Sequence, residues 1–326
     1  MKKGIILALI CLFGMFAFEV QAAGKIVLKI SSLNASSHPF SRALIEKFKP
    51  MVEESSKGRI DVQIFPDGQL GNERETIEQV QTGLVEMSYF SPVLGTIDPA
   101  VNVTDLPYLF KDEAHVDKAL DSPILFELLK DLPAKGFVPL GFMENGFRVT
   151  SNSKRPINTV EDFKGLKIRT PEAPLSLAIF KAFGANVTPM TFGELFSALQ
   201  QGVVDGQENA YNTLTSSRFF EVQKYVTETN HMYGCVTIVA NAKFWNSLDK
   251  EMQDVVAAAA KATSRYQRDI FRQETADSKK MVLDAGLQIA TPDLASFEKA
   301  VQPVWEDFFK TYPQFKPVVE QIQQLR

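Results

Sequence analysis

The apolar positions of this chain follow two rhythms. Runs such as IVLKISS (26–32) and GLKIRT (165–170) alternate apolar with polar or charged residues, the period of a half-buried strand. Stretches such as HPFSRALIEKFKPMVEES and PLSLAIFKAFG repeat apolar residues at three and four, the period of a helix with one buried stripe. The two rhythms alternate, and they do so twice. Residues 80–87 read VQTGLVEM and residues 199–206 read LQQGVVDG, each behind an amphipathic helix (ERETIEQVQT, FGELFSALQQ). Each has a glycine where a helix ends in the left-handed conformation that a Cβ disfavours. Upstream, IDVQIFPDGQL (60–70) and ANVTPMTFGEL (185–195) both predict strand, turn and helix. The order of elements therefore predicts two β-α-β-α-β units, each the core of an α/β domain.

Between residues 248 and 286 the helical pattern runs without proline or glycine until Gly286. At about 1.5 Å per residue such a helix extends over about 50 Å, longer than one small domain is wide. It can serve two domains as a spine. The stretch TPDLASFEKAVQPVWEDFFKTY predicts a further amphipathic helix. No segment has the composition of a linker, so strands are expected to carry the chain between domains.

The N-terminus departs from both rhythms. Lys2 and Lys3 precede the apolar run 4–18, and Val20-Gln21-Ala22 supplies small residues where a signal peptidase cuts. The expectation is an exported protein cleaved near Ala22, the run being short for a membrane span. Loss of Lys2, Lys3 and Glu19 leaves 33 basic against 38 acidic residues, a balance that argues against a nucleic-acid partner. Cys235 is then the single cysteine, set in an apolar strand pattern, so no internal disulfide is expected.

Ligands of open α/β sheets bind beyond the carboxyl ends of strands. Arg169 at the end of LKIRT, Arg148 in MENGFRVTSNS and Asn209 in VVDGQEN fall at such positions. Two guanidinium forks and an amide make a seat for a carboxylate. An arginine at a strand end is also commonly a solvated surface charge. His38, in SSHPF ahead of a helix, is a candidate contact from the first unit, or a histidine of the capping region. Enzymatic patterns find no purchase. The three histidines are scattered, no serine sits in GxSxG, and neither GxGxxG nor GxxxxGK[ST] occurs. The reading is a protein that is not an enzyme and uses no cofactor and no metal.

The stretches QLGNERETIEQVQTG, FRVTSNSKRPI, DFKGLKIRTPEAP, GANVTPMTFGELFSALQQGVVDGQEN and FFEVQKYV occur in that order. Together they closely resemble the DctP-type substrate-binding proteins of tripartite ATP-independent periplasmic (TRAP) transporters, across essentially the whole chain beyond the signal. The resemblance implies an α/β, two-domain, venus-flytrap binding protein, type II-like, with a long helix spanning both domains. It divides the chain into a signal peptide (1–22), a first domain (23–145 with 235–274) and a second domain (146–234 with 275–326). It implies that Arg169 is the principal carboxylate clamp, Arg148 a second anion-binding arginine and Asn209 their amide partner. Glu73, Phe192 and His231 match positions that line the cleft in some members. Members that bind N-acylneuraminate carry an acidic and a basic residue in the loop that here reads SYFSPVLGTIDP; Ser91 and Leu94 stand at those places. That leaves a mostly neutral wall with Tyr89 and Phe90.

The expected function is a periplasmic solute-binding protein, monomeric, that captures a small organic acid and delivers it to TRAP membrane subunits. A sugar acid such as a uronate suits an anion clamp with Glu73 and His38 as hydroxyl partners. A C4-dicarboxylate or an aromatic or keto acid is the alternative, as is a ligand sensor with the same fold.

Overall fold

The computed structural model describes residues 25–326. The predicted signal peptide and its cleavage point lie outside the described residues. Eleven strands form two sheets: β1 (Ile26–Ser31), β2 (Ile60–Phe65), β3 (Met87–Phe90), β4 (Phe137–Phe147), β5 (Val149–Asn152), β6 (Lys167–Thr170), β7 (Asn186–Pro189), β8 (Gly206–Asn209), β9 (Tyr225–Thr227), β10 (Tyr233–Asn241) and β11 (Gln288–Ala290). The first sheet has the order β2-β1-β3-β10-β4, the second β11-β9-β5-β8-β6-β7.

The internal echo is a structural repeat. In the first sheet β1 pairs parallel with β2 and β3; in the second, β6 pairs parallel with β7 and β8. A foreign strand then completes each unit antiparallel, β10 beside β3 and β5 beside β8. Chain continuity explains the exchange. β4 belongs to the first sheet and β5 to the second, with Arg148 alone between them, and the chain returns between β9 and β10. Both crossings are short, Arg148 in one direction and residues 228–232 in the other, as the absence of a linker predicts.

The helix Lys250–Asp284 is the third connection, two residues shorter at each end than its sequence pattern. Asp249 caps it by accepting the Met252 amide at 2.9 Å. Its first half packs Met252, Val256, Ala259 and Ala260 into the core of the first sheet, and Val282 near its end joins Val149, Tyr211 and Leu214 of the second. In the middle, Gln267 bonds both backbone groups of Glu144 on β4, accepting at 2.9 Å and donating at 2.8 Å. Backbone and helix meet closely here because Gly141 has no side chain: a Cβ would stand 2.5 Å from Ser264 Oγ and 3.3 Å from Ala260 O.

Two predicted helices differ in form. The pattern 39–55 is one rod interrupted by a π-turn at Leu44–Phe48. Pro50 cannot donate an amide bond and its ring crowds the preceding turn, and the wider turn just ahead of it absorbs both. The predicted single tail helix is broken into Ala295–Ala300 and Gln302–Thr311, and a further helix, Lys316–Gln324, follows it beyond the predicted stretch, with a proline near the start of each later piece. The last piece reaches the first lobe, where His115 Nε2 donates to Ile322 O at 2.6 Å.

Gly206 opens β8, where a Cβ would lie 2.2 Å from Ser151 O and 2.8 Å from Asn152 Cβ. Gly206→Ala is therefore expected to push β8 from β5 and to lower stability by about 1–3 kcal/mol. A thermal midpoint equal to that of the unaltered protein would show that the strand pair yields freely.

Candidate functional site

Parallel strands of the two units end at a common cleft, and one cavity there gathers side chains from both lobes. Leu33, Asn34, Phe40, Glu73, Tyr89, Ser91 and Pro92 line it from the first unit, Arg169, Pro171, Phe192, Asn209 and Thr213 from the second. Asn145, Arg148 and Val236 come from the crossing strands. Six of the eight sequence candidates thus converge: Arg169, Arg148, Asn209, Glu73, Phe192 and Ser91.

Arg169 is buried near the end of β6, opposite Gln207 of β8. Its Nε donates to Met190 O at 2.9 Å, and its guanidinium carbon stands 6.0 Å from the centre of the Phe192 ring. Among the described residues its two terminal amino groups have no protein acceptor. Burial lowers its pKa to about 10, so the group stays cationic at neutral pH.

Arg148 is held differently. Its Nε and Nη2 grip the Glu208 carboxylate, the Nη2–Oε1 bond measuring 2.9 Å, and Nη2 also donates to Glu208 O at 3.0 Å and Asn209 Oδ1 at 3.1 Å. Its charge is spent on Glu208, and Nη1 alone is left without a described protein acceptor. Burial pushes the Glu208 carboxyl up, but Arg148 and the bond from His231 outweigh it and hold it at about 2. Asn209 donates to Gln207 Oε1 at 2.7 Å, so the amide is oriented before any ligand arrives.

Both remaining histidine candidates stand behind the cavity wall. His231 Nε2 donates to Glu208 Oε2 at 3.3 Å while Nδ1 accepts from Thr229 Oγ1 at 2.9 Å. Burial lowers its pKa below the ordinary histidine value, which suits that neutral tautomer. His38 caps the helix at Pro39: Nδ1 accepts from the Phe40 amide at 3.1 Å, and Nε2 faces Thr213 Oγ1 of the other lobe at 3.4 Å. Buried completely and lowered to about 3, it is a neutral bridge between lobes, the capping reading of the sequence.

Glu73 opens the helix Glu73–Thr82 across the cleft from Arg169. The residue is half-buried and lines the cavity beside Ser91. Burial pushes its carboxyl up to about 8 against the opposing pull of Arg169, Ser91 and Arg148. Next to it Arg74 reaches Glu172 of the second lobe at 3.0 Å, an exposed ion pair of small worth that spans the cleft mouth.

The neutral wall divides by strand alternation. Tyr89 lines the cavity and donates to Asn34 Oδ1 at 2.9 Å, whereas Phe90 turns into the core against Phe137. Leu94 is likewise core. Sequence reasoning did not find Asn34, Asn145 or Thr213. Asn34 sits in the loop after β1, Thr213 in a short helix and Asn145 near the end of β4; a polar residue at or just past the carboxyl end of a strand is the one available signal.

Two lobes joined by strands and a shared helix, with a cationic clamp between them, define a binding protein of the venus-flytrap type. The family described as bacterial extracellular solute-binding protein, family 7 (DctP) matches residues 30–311, and the chain belongs to it. It is similar to the 2,3-diketo-L-gulonate-binding periplasmic protein of Escherichia coli, 33% identical over 95% of this chain and 98% of that one. Among solved structures it resembles a TRAP periplasmic solute-binding protein of Polaromonas bound to D-erythronate, with TM-score 0.88 and 36% identity over 92% of this chain and 98% of that one. It also resembles one of Haemophilus influenzae with bound L-gulonate, with TM-score 0.89 and 31% identity over 93% and 100%. The chain is thus a periplasmic solute-binding protein of a TRAP system, a carrier of small organic acids and not an enzyme.

Proposed function

We propose that the solute is a sugar acid with one carboxylate, an aldonate or uronate, and that Arg169 seats that carboxylate. The observation that carries this is the charge count at the cavity. Arg148 is neutralised by Glu208, so Arg169 is the cation left to meet a ligand among the described lining residues. Nη1 of Arg148 and the second amide hydrogen of Asn209 complete the seat. Asn34, Asn145, Thr213, Ser91 and Glu73 offer paired donors and acceptors to hydroxyls, while Phe40, Phe192 and Pro171 take the carbon-bound faces. The sugar acids named for the similar proteins from Escherichia coli, Polaromonas and Haemophilus support this class.

On this reading the lobes 23–145 with 235–274 and 146–234 with 275–326 close over the ligand about the strands at Arg148 and His231. The exported chain, cleaved near Ala22, works as a monomer and hands its cargo to the TRAP membrane subunits. The test is a thermal-shift screen of aldonates, uronates, C4-dicarboxylates and 2-keto acids. Sugar monoacids are expected to raise the midpoint by several degrees at millimolar concentration. Stabilisation by succinate or a branched keto acid, with none by sugar acids, would overturn the assignment.

A further inference from the structure

Where β4 and β10 run antiparallel, Glu144 stands opposite Cys235 and Phe147 opposite Tyr233. Asn145 and Gly146 are therefore matched by Gly234 alone, a β-bulge, the irregularity that re-aims a side chain beside many functional sites. Two glycines make room for it. Gly146 has φ +60°, in the left-handed region, and a Cβ on Gly234 would lie 2.8 Å from Asn145 Cβ. Glu144 turns to Tyr233 and Arg272 behind the strands, whereas Asn145 turns into the cavity that Arg148 and Thr213 also line.

We propose that His38, acting through Thr213, sets which end of the Asn145 amide meets the ligand, so that Asn145 donates to an oxygen of the bound acid. On the reading that a sugar acid fills this cleft, His38 is a positioning residue: it is absent from the cavity lining and acts through two side chains that belong to it.

The direction of each bond follows from the one before. His38 Nδ1 accepts the Phe40 amide at 3.1 Å, so the ring proton is on Nε2. Nε2 faces Thr213 Oγ1 at 3.4 Å and donates to it. Thr213 is buried, and its one hydroxyl proton goes to Asn145 Oδ1 at 3.3 Å. The Asn145 carbonyl is thereby engaged, and its two N–H bonds are left to the cavity. With the amide turned over, Thr213 Oγ1 would accept twice, and its buried proton would have no acceptor among the described residues, which is costly. Packing keeps the histidine neutral. Its ring is fully buried, with its centre 4.7 Å from that of Phe40 and 6.3 Å from that of Phe271.

Asn34 is set in the same sense from the first lobe. Tyr89 donates its one proton to Asn34 Oδ1 at 2.9 Å, so Ser32, 2.6 Å from the same phenol oxygen, donates to Tyr89. Both amides thus offer hydrogens to the ligand, as Arg169 does. A hydroxyl or carbonyl oxygen answers such a donor; a methyl or methylene group leaves it unpaired.

The test is titration calorimetry with D-gluconate, D-glucuronate and 2-oxo-3-methylbutanoate. The proteins are the unaltered chain, His38→Asn, Thr213→Val, Thr213→Ser, Asn145→Ala, Asn145→Asp, and each of the first two variants combined with Asn145→Ala. His38→Asn keeps an acceptor for the Phe40 amide but cannot span to Thr213. Thr213→Val keeps nearly the same shape without the hydroxyl, and carries the test should the histidine variant not fold. His38→Asn, Thr213→Val and Asn145→Ala should each weaken sugar-acid binding by about tenfold. Thr213→Ser should bind like the unaltered protein, and each double variant should be no weaker than Asn145→Ala alone. Asn145→Asp, which sets a lone pair where the amide hydrogens were, should bind more weakly than Asn145→Ala. A histidine that only supports the fold gives additive losses. Additive losses, a Thr213→Val affinity within about twofold of the unaltered protein, or undiminished binding by Asn145→Asp overturns the relay and leaves the sugar-acid reading standing. Coupled losses with the keto acid alone overturn the sugar-acid reading and uphold the relay. If none of the three acids binds the unaltered protein, both fall.

Discussion

Replacing Arg169 by alanine is expected to remove ligand binding while leaving a folded protein. Truncating one partner of a desolvated charge pair costs about 2–5 kcal/mol, so the dissociation constant should rise by about thirtyfold or more. The folded state loses much less. Arg169 makes one protein hydrogen bond, to Met190 O at 2.9 Å, and one ring contact at 6.0 Å, worth about 1 kcal/mol each. A midpoint drop of a few degrees is expected. Arg169→Lys keeps the charge and discards the planar fork, and should recover only part of the affinity. Titration calorimetry against the best ligand of the screen measures this, and an alanine variant within threefold of the unaltered protein would remove Arg169 from the clamp.

Glu208→Ala should have the opposite profile, a large loss of stability. Glu208 is fully buried and answers Arg148 and His231 together. Its removal leaves the Arg148 guanidinium buried without a counterion, at a cost of about 3–5 kcal/mol. The same energy appears in the pH dependence. The carboxyl is depressed from 4.5 to about 2 in the fold. Its contribution of about 3 kcal/mol is therefore intact above about pH 4.5 and is lost as the pH falls toward 2. Urea unfolding at pH 7 and pH 3 checks both statements: the gap between the unaltered protein and Glu208→Ala should be wide at pH 7 and narrower at pH 3. Equal midpoints at pH 7 would mean that Arg148 finds another partner at no cost.

Much of this architecture was legible because periodicity is local. Both β-α-β-α-β units, the glycine-ended helices Glu73–Thr82 and Leu195–Gln200 and the long spine all follow from residues close in sequence. What the pattern could not reveal is pairing across distance. Arg148 reads as a free anion anchor until β5 is seen antiparallel to β8, with Val149 opposite Asn209 and Thr150 opposite Glu208. His38 reads as a ligand contact until the fold brings Thr213 to its far nitrogen. The sequence reading sets Phe90 on the cleft wall beside Tyr89, although the period of a strand puts neighbours on opposite faces. The family motifs located the clamp; the charge balance around it needed three dimensions.

The strand exchange also governs the order in which the molecule can assemble. β10 lies between β3 and β4, yet it is synthesised after every residue of the second β-α-β-α-β unit. A nascent chain that ends short of Asn241 has β4 with no neighbour in its own sheet and half a core uncovered. The N-terminal lobe therefore stays open to its last strand until some three quarters of the polypeptide has been made, so neither the lobe nor its sheet can close while synthesis is still in the second unit.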